Sequence, residues 1–400
     1  MKPLNNTTHP LESLLQQHCP NGVEFKELGE VCELKRGRII SKKYLKDNVG
    51  EYPVYSSQTQ NNGIFGYINS YDFNGEFVSW TTDGANAGSV FYINGKFSVT
   101  NVCGLLSKKT DSISMRFLYF VLSITAKDYV NWSSPNPKLM SNKMAKIKIP
   151  LPPLEIQYKI VEILDAFTEL QAELQAELQA RRKQYEYYRN KLLSHDELEN
   201  RTAKQAKCSF FRKSRNDSDP TPLVPLVTLG EVCEVKRGVR VTKKDLTENE
   251  KYPVFQNSLT PMGYYNQSNV NANTPFIIVG GSAGEIGWSS SSYWAADDCI
   301  YFICEKSLMN RFLYHALCNQ QHYFLSQVRK ASIPRLSQDC IKKLKIPLPP
   351  LAVQNEIVEL LDKFDTLTND LTSGIPAEIE ARKKQYEHYR ERLLSFITKD

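Results

Sequence analysis

Side chains able to catalyse a reaction are present in this chain, but their spacing matches no catalytic motif. A DNA methyltransferase needs a glycine-rich cofactor loop and an Asn/Asp-Pro-Pro-aromatic tetrad. The nearest strings are Ser-Pro-Asn-Pro at 134–137 and Gly-Gly-Ser-Ala-Gly at 280–284, and neither fits. The GxxxxGK[ST] loop of ATP-driven enzymes is absent as well. We therefore expect neither methyl transfer nor ATP hydrolysis by this chain.

Candidate metal ligands also lack a supporting pattern. Asp297 and Asp298 are adjacent, as carboxylates in some Mg²⁺ sites are, but the matching residues of a repeat described below are Asn101 and Val102. We interpret the pair as structural or as part of a turn. The six histidines recur at no ligand spacing, and the nine cysteines include no Cys-x-x-Cys pair. We expect no metal site and no disulfide framework.

Composition indicates a folded protein, since 41% of the residues are hydrophobic and 24% are charged. The first twenty residues lack the apolar core of a signal peptide, and no run approaches the roughly 18 to 20 apolar residues of a membrane span. We expect a reduced, cytoplasmic protein without a membrane segment.

Positive charge, in contrast, is concentrated in two similar blocks although the net charge is only +6. Clustered cations suit the phosphate backbone of a nucleic acid, and a solvated strand edge would have the same composition. Recurrence of the block favours phosphate contact. The candidate residues are Lys35, Arg36, Arg38, Lys42 and Lys43 in the first block and Lys236, Arg237, Arg240, Lys243 and Lys244 in the second.

A second pair of candidate contacts follows a proline, in Pro-Lys-Leu at 137–139 and Pro-Arg-Leu at 334–336. A proline-set turn that presents one cation, Lys138 or Arg335, is a plausible phosphate or groove contact. A turn that starts a helix explains both trios nearly as well.

Base recognition needs side chains that donate and accept hydrogen bonds at base edges. The loops that follow the two Tyr-Pro-Val strings supply such groups and differ from each other, which suits unlike targets. Turn chemistry alone could produce the same composition. The candidates are Gln58, Gln60, Asn61, Gln256 and Asn257. Glycine loops at 82–88 and 281–287 could approach DNA closely or could form hairpin turns.

These paired features belong to a tandem duplication. Residues 28–43 recur largely unchanged at 229–244, residues 147–154 at 344–351, and residues 182–194 at 383–395, all in the same order. The stretches between the blocks have diverged. Two sites of one kind with different specificities would give this pattern, and neutral drift after an old duplication would too.

The elements that must position these sites are two mixed α/β globules and two helical spacers. Short β-type segments broken by Gly, Asn and Ser predict the sheets, and the Pro-Leu-Pro-Pro-Leu strings mark the exits into helices. The predicted boundaries are a first domain at 1–150 with an N-terminal extension at 1–24, a central spacer at 151–195, a polar linker at 196–222, a second domain at 223–347 and a C-terminal spacer at 348–400.

No proline or glycine interrupts residues 154–194, so we expect one helix about 60 Å long. Its apolar stripe can be buried by the matching stripe of the second spacer. The predicted pairing residues are Ile160, Phe167, Leu170, Leu174, Ile357, Phe364, Leu367 and Leu371. The first spacer carries Glu-Leu-Gln-Ala three times at 169–180, whereas the second carries Gly374 and Pro376, which should break or kink its helix.

The order of these segments resembles that of specificity subunits of Type I restriction-modification enzymes. The resemblance covers almost the whole chain and rests on the opening at 14–30, Tyr-Pro-Val-Tyr-Ser-Ser at 52–57, and IPLPPLxxQxxIVxxLD at 149–165 and 346–362. It implies two target-recognition domains that each read one half of a bipartite DNA site, held by helices that pair as an antiparallel coiled coil with pseudo-two-fold symmetry.

The resemblance also implies partners and leaves the chemistry to them. Two modification subunits would dock on the helices, and restriction subunits that translocate and cut would be recruited. This chain would need no cofactor, and S-adenosylmethionine, ATP and Mg²⁺ would serve the partners. Tetrapeptide repeats like that at 169–180 are linked to gap length in some relatives. Two other hypotheses stay open: a nuclease or methyltransferase with unrecognised motifs, and an assembly scaffold whose basic blocks contact proteins.

Overall fold

A computed structural model describes residues 17–133, 135–208, 223–246, 250–370 and 372–394. The described residues form two compact units. The first contains those up to Glu173 together with those from Glu380 onward, and the second runs from Leu174 to Ile379. Each unit holds one globular mixed α/β domain and parts of both spacers, which confirms the predicted fold class.

The first domain is built on a sheet of six strands in the order β2-β7-β5-β6-β3-β4, in which only β3 and β6 pair in parallel. Burial alternates along the first part of β5 and is continuous in its last four residues and in the first four of β7, and Trp80 and Phe97 are fully buried. The strands are β1 Phe25–Glu27, β2 Cys32–Arg36, β3 Tyr52–Tyr55, β4 Ile64–Ile68, β5 Phe73–Thr81, β6 Val90–Val99, β7 Cys103–Lys108 and β8 Lys148–Pro150, with β1 and β8 paired separately.

Four helices accompany this sheet: α1 Leu28–Val31, α2 Lys42–Asp47, α3 Met115–Thr125 and α4 Ser141–Met144. The Ser114 hydroxyl accepts the Phe117 amide at the start of α3. Phe117, Leu118 and Val121 then bury one face of α3 in the main core of the domain.

The second domain repeats this plan with shorter strands. A sheet in the order β10-β16-β13-β14 matches β2-β7-β5-β6 of the first domain. A separate sheet in the order β12-β11-β15 matches β4-β3-β6 at the other edge of the first domain's sheet. The strands are β9 Leu226–Thr228, β10 Cys233–Arg237, β11 Tyr252–Phe255, β12 Tyr264–Tyr265, β13 Thr274–Ile278, β14 Ile286–Ser289, β15 Trp294–Ala295, β16 Cys299–Cys304 and β17 Lys345–Pro347. The strand β11 pairs in parallel with β15, as β3 does with β6.

Its helices follow the order of those of the first domain, with a short 3-10 turn in place of α2 and a second α-helix after the longest one. Before this domain the chain forms α5 Leu154–Leu192 and α6 His195–Cys208. Within the domain lie α7 Leu229–Val232, α8 Asn310–Asn319, α9 Gln321–Gln327 and α10 Gln338–Lys342, and α11 Leu351–Asn369 and α12 Ile375–Leu393 follow.

The first spacer is one uninterrupted helix, α5, and the second is two helices, α11 and α12, as the sequence predicts. The break falls at Gly374, where an added Cβ would lie 2.4 Å from the Thr366 carbonyl oxygen. Pro376 then lies in the first turn of α12, where the absent amide hydrogen costs no helical bond.

Aromatic rings join the two spacers within each unit. In the first unit Phe167 packs on Tyr386 and Tyr389, with ring centroids 6.2 and 5.4 Å apart. In the second, Phe364 stacks on Tyr185 and Tyr188 at 6.3 and 5.3 Å. Earlier residues of the first spacer thus meet later residues of the second, which is the antiparallel order.

The predicted pairing residues divide among several environments. Ile160 and Ile357 are fully buried and belong to the domain cores as well as to the spacers. Leu174 is buried and Leu170 half-buried. Leu367 is 38% exposed, and the buried face of α11 passes through Leu361 and Thr368, so the pairing of Leu367 stays a prediction. Leu371 lies outside the described residues.

The predicted polar linker at 196–222 is wrong over its first part, because residues 195–208 form α6. The Ser194 hydroxyl accepts the Glu197 amide at the start of α6, and Leu198 is fully buried. Arg201 bonds to Glu197 on the same helix and to Glu356 on α11. One apolar residue and these ion pairs hold a helix that shows no apolar stripe. Residues 209–222, and residues 1–16 of the predicted extension, lie outside the described residues.

No helix in the described part of the chain is long and apolar enough to cross a membrane.

Candidate nucleic-acid interface

The Lys-Arg-Gly segment at the end of β2 and of β10 is fixed by the turn that precedes β7 or β16. The Arg36 guanidinium donates to the Asn101 carbonyl at 3.1 Å, and that of Arg237 donates to the matching Asp297 carbonyl at 2.5 Å. A Cβ on Gly37 or Gly238 would lie 2.1 or 2.2 Å from a carbonyl oxygen of this turn. Close backbone contact therefore explains the glycine, and the first arginine of each block braces the turn.

Arg38 is also engaged within the protein. Its guanidinium lies 2.9 Å from Asp72 and stacks 5.0 Å from the Tyr44 ring centre. The hydrogen bond to Asp72 raises the pKa of Arg38 above its ordinary value. Arg38 thus keeps its charge, but one side of its guanidinium is occupied.

The remaining cations of the first block are exposed. Lys35 forms a surface ion pair with Glu33 at 3.2 Å, a contact that solvent screens strongly. Lys42 and Lys43 are exposed in the first turn of α2, whose amides are capped by Ser41.

The second block also combines occupied and exposed cations. Lys236 pairs with Glu234 at 3.1 Å. Arg240, Lys243 and Lys244 are exposed around the short 3-10 turn at Lys243–Asp245. The exposed lysine pairs 42–43 and 243–244 are the parts of the blocks most available to a polyanion.

Main-chain bonds bring the proline-cation trio beside the turn next to each basic block. In the first domain the Thr82 amide donates to the Val102 carbonyl at 3.0 Å, and the Leu139 amide donates to the Thr82 carbonyl at 2.8 Å. The Gly84 amide donates to the Pro137 carbonyl at 3.0 Å. Lys138, 100 residues from Arg38, therefore shares one surface with the basic block.

The second domain makes the same bonds at matching positions. The Val279 amide donates to the Asp298 carbonyl at 2.8 Å, the Leu336 amide to the Val279 carbonyl at 2.9 Å, and the Gly281 amide to the Pro334 carbonyl at 3.2 Å. The glycine loop and the trio are therefore neighbours in both domains, and we call this candidate interface the recognition cleft. Its segments are 36–38, 56–60, 82–88, 100–103, 131–133 and 135–139 in the first domain and 237–240, 256–258, 280–285, 296–299 and 329–336 in the second.

Asp297 and Asp298 hold side chains of the second cleft. The Asp298 Oδ1 atom accepts from Arg335 Nη1 at 2.6 Å and lies 3.5 Å from Arg237 Nη2. Asp297 Oδ1 accepts from the Gln256 amide at 3.3 Å. These contacts match the structural interpretation of the pair. Among the described residues, no group of three or more His, Cys, Asp or Glu side chains is arranged to hold a metal ion.

The base-reading candidates are only partly free. The Gln58 side-chain amide donates to the Ile64 carbonyl, and Asn61 has φ +51°, which suits a turn residue. Gln60 and Asn257 are exposed. The main chain of Asn257 accepts the Ser282 amide at 2.9 Å and so ties its loop to the glycine loop.

Buried glutamines fasten each domain to its spacer, a role that no motif predicted. The Gln157 side chain, fully buried, accepts the Ser114 amide and donates to the Ser112 and Pro152 carbonyls, each at 2.8 Å. Gln354 accepts the Met309 amide at 2.9 Å and donates to the Ser307 and Pro349 carbonyls at 2.8 Å. Their repetition after each Pro-Leu-Pro-Pro-Leu string was the available signal.

A repeated arginine makes a second attachment. Arg116 on α3 bonds to Asp165 on α5 at 2.6 Å, and Arg311 on α8 bonds to Asp362 and Asp365 on α11 at 2.7 and 2.6 Å. Both guanidinium groups lie over aromatic rings, 4.8 Å from the Tyr92 centre and 4.7 Å from the Trp288 centre. The shared string Arg-Phe-Leu-Tyr at 116–119 and 311–314 could have revealed this contact.

One attachment differs between the copies. His315, fully buried where the first domain has Phe120, bonds to Asp362 at 2.7 Å and to the Tyr185 hydroxyl at 3.1 Å. Burial lowers the pKa of His315. A neutral ring that donates from Nε2 and accepts at Nδ1 satisfies both partners.

Comparison with known proteins identifies a family for both halves of the chain. The family model described as a Type I restriction modification DNA specificity domain matches residues 20–181 and 224–381. A putative type I specificity subunit of Mycoplasma pneumoniae is 35% identical over 374 residues, which cover 93% of this chain and 97% of the relative. One of Haemophilus influenzae is 32% identical over 428 residues, covering 98% and 99%.

Solved structures agree at the level of the fold. The S subunit of a type I restriction-modification system from M. genitalium superposes with a TM-score of 0.62 at 18% identity, over 100% of this chain and 98% of that one. A chain from a structural study of type I complex assembly and conformational transition gives a TM-score of 0.52 at 17% identity, over 94% and 97%.

Proposed function

The chain belongs to the family of Type I restriction-modification DNA specificity subunits, a non-catalytic component that recognises DNA, and on this premise we propose how its two domains divide that recognition. Each domain reads one half of a bipartite site through its own recognition cleft. The two halves differ because the side chains that line the two clefts differ.

The observation that carries this proposal is the repetition of one main-chain frame with unlike side chains. The bonds of Thr82, Gly84 and Leu139 recur at Val279, Gly281 and Leu336. Exposed loop residues, in contrast, are Gln60 and Lys138 in one cleft and Asn257 and Arg335 in the other. A constant frame with variable contacts lets one fold recognise two sequences.

Phosphate contacts would position each domain on the duplex without selecting a sequence. The exposed lysines Lys42 and Lys43, with Lys243 and Lys244, are placed for this role. Lys35, Arg38, Lys138, Lys236 and Arg240 would add to the positive surface. Arg36 and Arg237 brace the cleft, so their effect on DNA would be largely indirect.

Base contacts would come from the loops of the cleft. Gln60 and Asn257 offer exposed amides that can pair with adenine or other base edges. Gln58 and Gln256 would hold these loops in shape through the bonds described above, and Asn61 through its turn conformation.

The spacers would set the unspecified gap between the half-sites and dock two modification subunits, with restriction subunits recruited to the assembly. Methyl transfer, ATP-driven translocation and cleavage belong to these partners in the proposal. A cytoplasmic location, where DNA and the partners are found, completes it.

Methylome sequencing of cells that carry this chain with its modification partner tests the proposal. We expect methylation at one asymmetric motif of two specified halves around a gap of constant length. Purified chain incubated alone with S-adenosylmethionine, Mg²⁺ and DNA should give no turnover. Turnover by the isolated chain would instead favour an enzyme, and binding of the complex to DNA without dependence on salt or sequence would favour a scaffold.

A further inference from the structure

In the second recognition cleft, the side chain of Arg335 is held by a single carboxylate. The Arg335 main chain is paired on one side with Gly280 and on the other with Arg329, with Arg329–Arg335 bonds of 2.8 and 3.2 Å. Its side chain then reaches Asp298 Oδ1 at 2.6 Å, while half of the side chain stays exposed. Backbone and guanidinium are therefore both fixed at the open face of the cleft.

Asp298 is in turn fixed by its surroundings. Its main-chain carbonyl accepts the Val279 amide at 2.8 Å, and its side chain is only 14% exposed. A Cβ on Gly280 would lie 2.6 Å from Asp298 Cγ. The absence of a side chain at position 280 is thus what leaves room for the carboxylate.

The first cleft arranges the same charges differently. By the matching main-chain bonds, Asp298 corresponds to Val102, Gly280 to Asp83, and Arg335 to Lys138. In the first cleft the acidic residue is Asp83, which follows β5 and pairs with Lys138 through the main chain. In each cleft an acidic residue therefore lies beside the cation that follows the proline, Asp298 through its side chain and Asp83 through its main chain.

We propose that Asp298 is a positioning residue that orients Arg335 for contact with one base pair of the half-site read by the second domain. The inference deepens the proposed function and rests on it. Asp298 engages Nη1 and leaves the other guanidinium donors of Arg335 for the forked contact that an arginine makes with guanine O6 and N7. A residue whose rotamer is fixed by a neighbour before binding discriminates better than a mobile one.

The test compares methylomes of cells in which Asp298→Asn replaces the native chain, with the same modification partner. Removal of the charge frees Arg335, so discrimination at one base pair of one half-site should fall by about tenfold. The other half-site and the gap should not change. Gly280→Ala, whose new Cβ would displace the carboxylate, should relax the same base pair, as should Arg335→Ala.

Asp339→Asn is the matched control, because Asp339 is exposed on α10 four residues from Arg335. It makes the same change of charge and should keep the native motif. An unchanged motif in Asp298→Asn overturns the inference. A uniform loss of methylation at all sites, with base preference intact, also overturns it, since that result indicates a structural or phosphate role. A native chain that directs no bipartite motif would refute the proposed function itself.

Discussion

At the scale of single residues, Gln157 and Gln354 join elements that are remote in sequence. Each side chain satisfies one amide and two carbonyls at the junction of a domain and its spacer. Buried backbone groups of this kind are expensive to leave without partners. The two glutamines therefore fix the direction in which the spacer leaves the domain.

Replacement of Gln157 by methionine keeps the volume and removes all three bonds. We expect the first unit to lose about 1–3 kcal/mol of unfolding free energy, with a Tm lower by roughly 2–4 °C per kcal/mol. Hydrogen exchange of the Ser114 amide should accelerate. Gln354→Met should act likewise on the Met309 amide of the second unit.

Gln175→Met is the control, because it makes the same substitution at an exposed residue of the helix that carries Gln157. Wild-type exchange at Ser114 in Gln157→Met would contradict the role given to the glutamine.

His315 makes the stability of the second unit depend on pH. The first unit has Phe120, which does not titrate, at the corresponding position. Burial holds the pKa of His315 below its ordinary value of 6.5, with Asp362, Arg311 and Tyr185 around it. In the unfolded chain the His315 imidazole binds a proton near pH 6.5, whereas in the folded chain it binds one only at lower pH. Stability from this group is therefore complete above about pH 6.5 and decreases as the pH falls toward the folded pKa.

His315→Phe, which copies Phe120 of the first domain, should flatten this dependence. Thermal unfolding of the native chain and the variant between pH 7.5 and 5.5 measures it. The native second unit should lose more Tm on acidification than the variant does, even though the variant loses the Tyr185 contact at every pH. Parallel curves would show that His315 is not the titrating group.

At the scale of elements, the first spacer carries its repeat where the buried face is narrow. Leu174 and Leu178 are buried and Leu170 is half-buried, while Glu173, Gln175 and Glu177 between them are exposed. A unit of four residues advances the helix by about 6 Å and turns it by roughly 40° beyond one full turn. The leucine stripe thus survives a change in repeat number with a small rotation.

Deletion of one Glu-Leu-Gln-Ala unit from residues 169–180 should retain both half-site sequences and shorten the gap. The lost 6 Å is close to the rise of two base pairs at about 3.4 Å each. Methylome sequencing of cells with the deletion and the modification partner measures the gap. An unchanged gap would refute the role of the spacer as a ruler.

At the scale of the whole molecule, a net charge of +6 hides two concentrated cationic surfaces. Many of the cations have acidic or carbonyl partners, as Arg38 and Arg237 do. The exposed lysine pairs remain in both domains. Affinity for phosphate should therefore be shared between the two domains, while base preference is separate in each.

Substitution of Lys42 and Lys43 by alanine should weaken binding of the assembled complex to every DNA sequence. The slope of log affinity against log salt should decrease by about 0.9 for each phosphate that the variant no longer neutralises. Lys243→Ala with Lys244→Ala should give a similar decrease, and the methylation motif should stay unchanged in both variants. Binding measured over a series of salt concentrations tests this, and a changed motif would assign these lysines to base recognition instead.

Sequence alone was sufficient for features that depend on neighbours along the chain. The duplication, the uninterrupted helix from Leu154 and the break before Pro376 follow from periodicity, proline and glycine, which act over a few residues. The family could be inferred in the same way, because its motifs are contiguous strings. The helix at 195–208 was missed because one buried leucine and its ion pairs, rather than an apolar stripe, hold it.

The tertiary structure decided which polar side chains are occupied, because their partners lie far away in sequence. Arg36, Arg237 and Gln58 had the composition of DNA-binding residues, yet each donates to a main-chain carbonyl of the protein. Asp298 and Arg335 are 37 residues apart and are in contact only because the segment 329–336 folds back against the strands. Residue type fixes what a side chain can bond to, and the packing of distant segments determines which of those bonds the protein itself makes.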